Sequence, residues 1–196
     1  MFSYIKGNIV EKSPDHIVVE TAGGVAFFIN ITLTTFSQLP DSGEVKILTH
    51  YIVKEDAQLL YGFVEDDERE MFKLLIGVNG IGPNTGRLIL SSMNVGEVLN
   101  ALATEDVRAL QSIKGIGAKT AQRIIIDLKD KTKKMQWTDS SKNTISYNNN
   151  KYEALSALVA LGFPKNTAEK ALDKIIKADG INLTVEELIK KSLKLL

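Results

Sequence analysis

Asn79-Gly80-Ile81-Gly82-Pro83 and Lys114-Gly115-Ile116-Gly117-Ala118-Lys119-Thr120 are two copies of one pattern, and their reading decides the fold. Each copy has an apolar helical run before it and another after it, so each Gly-x-Gly is a hairpin between two helices. Glycine lets bare backbone amides approach an oxyanion closely and takes positive φ at no steric cost. Amides placed there sit at a helix N-terminus, where unsatisfied N–H groups and the helix dipole favour a phosphate. Pro83 falls at the first helical position, where its missing N–H costs nothing. In the second copy Lys119 and Arg123, four residues apart, lie on one helix face and can close on the same backbone. The pattern is a tandem helix-hairpin-helix. It predicts contact with the phosphates of both strands of a duplex, which positions a protein without reading base sequence. A lone Gly-x-Gly between helices is often only a tight turn. Two copies 35 residues apart (115 minus 80), each with an aliphatic residue between its glycines, favour backbone binding. The candidate contacts are Asn79, Gly80, Ile81, Gly82 and Asn84 in the first copy. In the second they are Gly115, Ile116, Gly117, Ala118, Lys119, Thr120 and Arg123.

The chain has 196 residues with 24 basic and 24 acidic side chains, and zero net charge argues at first against a polyanionic partner. The distribution reverses that: residues 1–64 hold four basic and seven acidic side chains, residues 107–134 eight basic and two acidic. Local potential, not net charge, steers a polyanion. No cysteine is present, which excludes a disulfide framework and a thiolate metal site. His16 and His50 lie in separate strand-like runs without ligand-spaced companions, so each is expected to be satisfied or solvated, and no metal or cofactor is expected. No signal peptide or long apolar span is visible, which predicts a cytoplasmic protein with no membrane partner.

Residues 1–64 read as β. Phe2 to Glu11, Ile17 to Thr21, Val25 to Ile31, Val45 to Val53 and Leu59 to Val64 are rich in Val, Ile, Phe and Tyr and are separated by turn-forming residues. Five strands are too few for a sandwich and predict a small closed barrel of the OB type. Phe27, Phe28, Tyr51 and Tyr61 lack interleaved basic residues and read as core or interface, not as base-stacking platforms. Glu55-Asp56 occupies a turn between two apolar strands. Such a pair ordinarily solvates a loop; in a chain built for phosphates it can also repel DNA.

From Glu65 the hydrophobic period becomes helical. Asp66-Asp67-Glu68 is an acidic first turn suited to the helix dipole, with Met71, Phe72, Leu74, Leu75 and Val78 as the buried stripe. Further helices are expected from Pro83 to about Ser92, from Val95 to Leu102 behind an Asn94/Glu97 capping pair, from Thr104 through Ile113, and from Ala118 to about Lys134. Residues 136–150 read as a flexible polar linker in which Trp137 and Tyr147 have no assignable role. Residues 151–196 give three short helices: one ending at Leu161-Gly162-Phe163-Pro164, one around Ala168 to Ile176, and one from Val185 to Leu195 capped by Thr184 with Glu187. So small a domain on a long tether suits docking to a partner more than catalysis.

Two enzyme readings fall short. A P-loop needs glycine directly before its lysine and another five residues earlier, and positions 118 and 113 are Ala and Ile. A helix-hairpin-helix glycosylase places an aspartate some twenty residues past the hairpin, and Asp139 has that offset but lies in the polar stretch.

A barrel at 1–64, two helix-hairpin-helix motifs at 65–135, a linker at 136–150 and a three-helix, UBA-like tail at 151–196 together resemble the RuvA family over the whole chain. Two runs carry the likeness most specifically: Thr49-His50-Tyr51-Ile52-Val53-Lys54-Glu55-Asp56-Ala57-Gln58-Leu59-Leu60-Tyr61-Gly62-Phe63, and Ala157-Leu158-Val159-Ala160-Leu161-Gly162-Phe163. The resemblance implies an α+β multidomain, non-catalytic subunit that binds four-way (Holliday) junctions for branch migration in recombination, repair and the SOS response. It also implies a square homotetramer, or an octamer of two such plates, with Glu55 and Asp56 as an acidic pin at the crossover. Leu158, Leu161, Gly162 and Phe163 would then dock the hexameric RuvB ATPase, and the RuvC resolvase is a further implied partner. Where that family commonly has lysine just after Gly-x-Gly-Pro and just after the second Gly-x-Gly, this chain has Asn84 and Ala118.

Overall fold

The computed structural model describes residues 2–135, 137, 150, 151, 153–179, 183–193 and 195, without the side chains of 177–179. The chain forms two compact units, Met1–Gln136 and Trp137–Leu196. Of the stretch read as a linker, all but Trp137 and Asn150 lies outside the described residues, including Asp139 and Tyr147. Trp137 is buried, which its isolated place in a polar run did not reveal.

In the first unit, strands β1 (Tyr4–Lys12), β2 (His16–Glu20), β3 (Ala26–Ile31), β4 (Gly43–Val53) and β5 (Gln58–Phe63) close into a barrel in the order β1-β2-β3-β5-β4. Strict alternation makes the closure productive: Ile5, Ile9, Ile17, Val19, Ile29, Ile31, Val45 and Ile47 all point inward and form one core. The ring is sealed by a short parallel pairing, Asn30 opposite Tyr61 and Ile31 opposite Gly62, reinforced by Asn30 Nδ2 donating to the Leu60 carbonyl at 3.1 Å. Gly62 is required there, because a Cβ would lie 2.5 Å from Ile29 Cγ2 and 2.6 Å from Ile47 Cγ2.

Between β3 and β4 runs helix α1 (Leu33–Gln38), which the strand-like composition of this stretch concealed. Thr32 caps it, its Oγ1 accepting from the Thr35 amide at 2.9 Å. Helices α2 (Asp66–Ile76), α3 (Pro83–Ser92), α4 (Val95–Ala103), α5 (Val107–Gln111) and α6 (Ala118–Lys133) complete the unit. Met71, Phe72, Leu75 and Val78 are buried, and Leu74 is half-buried. Asp66, Asp67 and Glu68 form the acidic first turn of α2. Glu68 is in addition buried, and Thr32 Oγ1 and Thr35 Oγ1 donate to its two oxygens at 2.5 and 2.7 Å. One expectation needs correction. Thr104 does not open α5. It ends α4, and Asp106 caps α5 by accepting from the Ala109 amide at 3.0 Å, with Glu105 at φ 55° making the corner between them.

In the second unit, helix α7 runs over 153–160, followed by α8 (Lys165–Asp179) and α9 (Val185–Ser192). α7 stops where Gly162 takes φ 96°, the Gly162 amide returning to the Val159 carbonyl and the Phe163 amide to the Leu158 carbonyl. The helix-termination reading of Leu161-Gly162-Phe163-Pro164 is thereby explained atom by atom. α9 has the Thr184/Glu187 capping box but ends at Ser192, short of Leu195. Ala154, Leu158, Ala168, Leu172, Ile175 and Leu188 form the core.

Candidate nucleic-acid interface

The two hairpins are one structure built twice. Gly80 and Gly115 have φ 93° and 89°. Gly82 and Gly117 are the N-caps of α3 and α6 with φ, ψ of −82°, 168° and −83°, 170°. Ile81 and Ile116 anchor the turns, each buried, their amides bonded to the carbonyls of Val78 and Ile113 at 3.0 and 3.1 Å. The sequence reading gave both glycines of each pair the same conformational need, and the structure divides them. Only the first glycine takes positive φ. The second has an ordinary extended backbone with nothing within 4 Å of a built Cβ, so neither strain nor packing demands glycine at 82 or 117. What a Cβ would obstruct is approach from outside.

The helix ends behind these glycines are left open. Thr32, Asn94, Asp106 and Thr184 cap α1, α4, α5 and α9 with side-chain oxygens, and α2 carries three acidic residues in its first turn. α3 and α6 have neither a capping side chain nor an acidic residue in the first turn. Their first helical bonds are Gly86 to Gly82 and Ala121 to Gly117, both 2.9 Å. The amides of Gly82, Asn84 and Thr85, and those of Gly117, Ala118, Lys119 and Thr120, therefore face outward at the positive end of a helix. Such an end can take an external oxyanion.

The cations are distributed less simply than the sequence suggests. Lys119 is exposed and has no ion-pair partner among the described residues. Lys129 is bound to Glu105 at 2.5 Å and Lys133 to Asp130 at 3.6 Å, so the far end of the α6 basic face is partly neutralised. Arg123 does not turn toward the second hairpin: its Nη1 donates to the Asn79 carbonyl of the first, at 3.2 Å. Asn84 accepts from the Tyr61 hydroxyl at 3.2 Å, and Arg87 donates to the Asp15 carbonyl at 2.7 Å. These two bonds brace α3 on the barrel. They join residues 23 and 72 positions apart, a separation that leaves no periodic trace in a sequence.

Glu55 and Asp56 are both exposed in the β4–β5 turn, which the Lys54 amide closes onto the Ala57 carbonyl at 2.8 Å. Tyr51 Oη donates to Gln58 Oε1 across the base of that turn. Neither carboxylate has a partner among the described residues, so both charges face outward. His50 packs edge-on against Phe72, where burial lowers its pKa below the usual histidine value. His16 is held by Glu11 and Asp15, which raise its pKa. Tyr61 is buried and Phe27 and Tyr51 are partly so, but Phe28 is exposed and stacks on His16 at 4.5 Å. Among the described residues no group of three or more His, Asp or Glu is placed to hold a metal ion, and no helix is long and apolar enough to cross a membrane.

In the second unit Leu158 is fully buried, so it supports the fold and presents nothing to a partner. Phe163 packs partly onto the same core. Of the four residues expected at a docking surface, Leu161 and Gly162 are exposed, and exposed Val159 lies beside them.

Residues 1–62 match the family described as RuvA N terminal domain, 72–130 the SAM-like helix-hairpin-helix tandem, and 149–196 the RuvA C-terminal domain. Among similar curated proteins, one from Christiangramia forsetii is 50% identical over 194 residues, covering 99% of each chain. One from Cytophaga hutchinsonii is 48% identical over the whole of both chains, and one from Flavobacterium psychrophilum 50% identical over 99% of each. All three carry the name Holliday junction branch migration complex subunit RuvA. With a barrel, a tandem of hairpins and a three-helix tail in the same order, and half the residues shared from end to end, this chain belongs to the RuvA family.

Proposed function

We propose that the chain is a non-catalytic, sequence-independent binder of four-way DNA junctions that holds them open and square for a hexameric RuvB-type ATPase, where the ATP hydrolysis resides. The observation that carries this reading is the pair of open helix N-termini behind Gly82 and Gly117, unlike the capped ends of α1, α4, α5 and α9. Hydrogen bonds from such amides to a charged phosphate contribute about 1.5–3 kcal/mol each, and they read no base. Two hairpins per subunit grip the two strands of an arm, and four subunits in a square take four arms. The Glu55-Asp56 turns then meet where the strands exchange. Like charges 4 Å apart at a partly exposed site repel by about 4 kcal/mol before screening, which bars a continuous duplex and tolerates an opened crossover. The domains fall at 1–64, 65–135 and 151–196, and the last, through the exposed Leu161-Gly162 corner, docks the motor; a RuvC-type resolvase is a further partner, and the assembly is the square tetramer or an octamer of two such plates.

The test is a binding series with the full chain on a four-way junction, a duplex of the same sequence, and mismatched and abasic duplexes. The expected outcome is preferential junction binding with no release of base. Glu55→Gln with Asp56→Asn should raise duplex affinity and narrow the junction-to-duplex ratio. Base release would make the protein a glycosylase, and an unchanged ratio would return the acidic turn to a solvated loop.

A further inference from the structure

We propose that Arg123, although carried by the second helix-hairpin-helix, is the phosphate-facing cation of the first. The proposal rests on the phosphate-binding reading above and refines which residues make each site. The 35-residue offset between the copies pairs Lys114 with Asn79, Lys119 with Asn84 and Arg123 with Leu88, so the first copy lacks all three cations of the second. Its one basic residue in α3 is Arg87, and that guanidinium is committed to the Asp15 carbonyl at 2.7 Å. Asn84 is engaged by the Tyr61 hydroxyl. The first hairpin therefore has open amides but no cation of its own. Arg123 fills the gap: its Nη1 lies 3.2 Å from the carbonyl of Asn79, three residues before the open N-cap Gly82.

Two consequences follow from that single bond. It covers a carbonyl oxygen whose negative end would oppose an incoming phosphate. It also consumes one of the five guanidinium donors and leaves the others for a bidentate contact with phosphate oxygens. Lys119, one helical turn earlier on the same face, stays with the second hairpin. The first hairpin thus has Arg123 and the second has Lys114 and Lys119, and the two copies are joined through Arg123.

The experiment measures the affinity of the full chain for a synthetic four-way junction at several salt concentrations, in variants that move the cation. Arg123→Ala should weaken binding about tenfold, the loss of one charge-assisted bond. Asn84→Lys, which returns a cation to the first hairpin from its own helix, should restore most of that loss in the Arg123→Ala background. Its gain should be several-fold smaller in the wild-type and Lys119→Ala backgrounds, where Arg123 already serves the first hairpin. Thermal unfolding of each variant separates binding from folding, and a purely structural tie predicts lowered unfolding temperatures that Asn84→Lys does not repair. Equal gains from Asn84→Lys in all three backgrounds, or no rescue of Arg123→Ala, would overturn the assignment. A wild-type chain without salt-dependent junction binding would overturn the phosphate reading itself, so the two failures are distinguishable.

Discussion

Glu68 shows how much a single residue can hold. Its carboxyl is buried among Thr32 and Thr35, the cap and first turn of α1, and it comes from the first turn of α2. Burial drives its pKa above the ordinary 4.5, with Glu65 adding to the rise and the two threonine hydroxyls opposing it. A carboxyl raised in the folded state binds its proton more tightly there than in the unfolded chain. The stability it contributes is therefore full below pH 4.5 and is lost as pH rises through the folded value. Glu68→Gln removes that titration, so the wild-type advantage over the variant should be greatest in acid and shrink on going to neutral pH. Urea unfolding at a series of pH values measures the difference, and a constant gap would show that Glu68 ionises as freely in the fold as out of it. The glycines at 82 and 117 make the complementary point. Their presence was legible in the sequence, but their reason was not, because positive φ and open approach select the same residue.

Elements were read best where one physical cause dominated. Pro83 at the first helical position, the Asn94/Glu97 box and the Gly162 stop each act within a turn of the chain, and all stand in the structure as the spacing predicts. The failures arose where two causes compete. Thr32-Leu33-Thr34-Thr35 carries β-branched residues that favour a strand, yet Thr32 caps a helix that Glu68 fixes from 33 positions or more away. Thr104 and Asp106 are both good N-caps, and the αR conformation at Thr104 with Glu105 at φ 55° leaves the role to Asp106. Asp106→Ala should accordingly lower stability by about 1 kcal/mol. Thr104→Ala should cost less, its hydroxyl serving only the Asn100 carbonyl. Calorimetric unfolding of both variants checks the order, and the reverse order would restore Thr104 as the cap.

At the scale of the molecule, a net charge of zero conceals segregation: the barrel leans acidic and the second hairpin with α6 is strongly basic. That asymmetry was legible from counting. Which cations remain available was not, since Lys129, Lys133 and Arg87 are engaged by partners distant in sequence or by a turn of their own helix. The residues expected at a docking surface show the same limit. Leu158 and Leu161 look alike in a helical run, and only the packing of α7 shows that one is core and the other exposed.

The central claim is that the open amides behind Gly82 and Gly117 bind DNA phosphates. Its most direct test is the slope of log affinity against log salt for a four-way junction, measured for the wild type, Gly82→Val, Gly117→Val and the double variant. A side chain at either position meets nothing in the fold and takes an ordinary backbone conformation, so unfolding temperatures should move little. The account predicts a steep slope for the wild type, a shallower slope and weaker binding for each single variant, and the shallowest for the double, alike on every DNA sequence. Folded variants that keep the wild-type affinity and slope would contradict it.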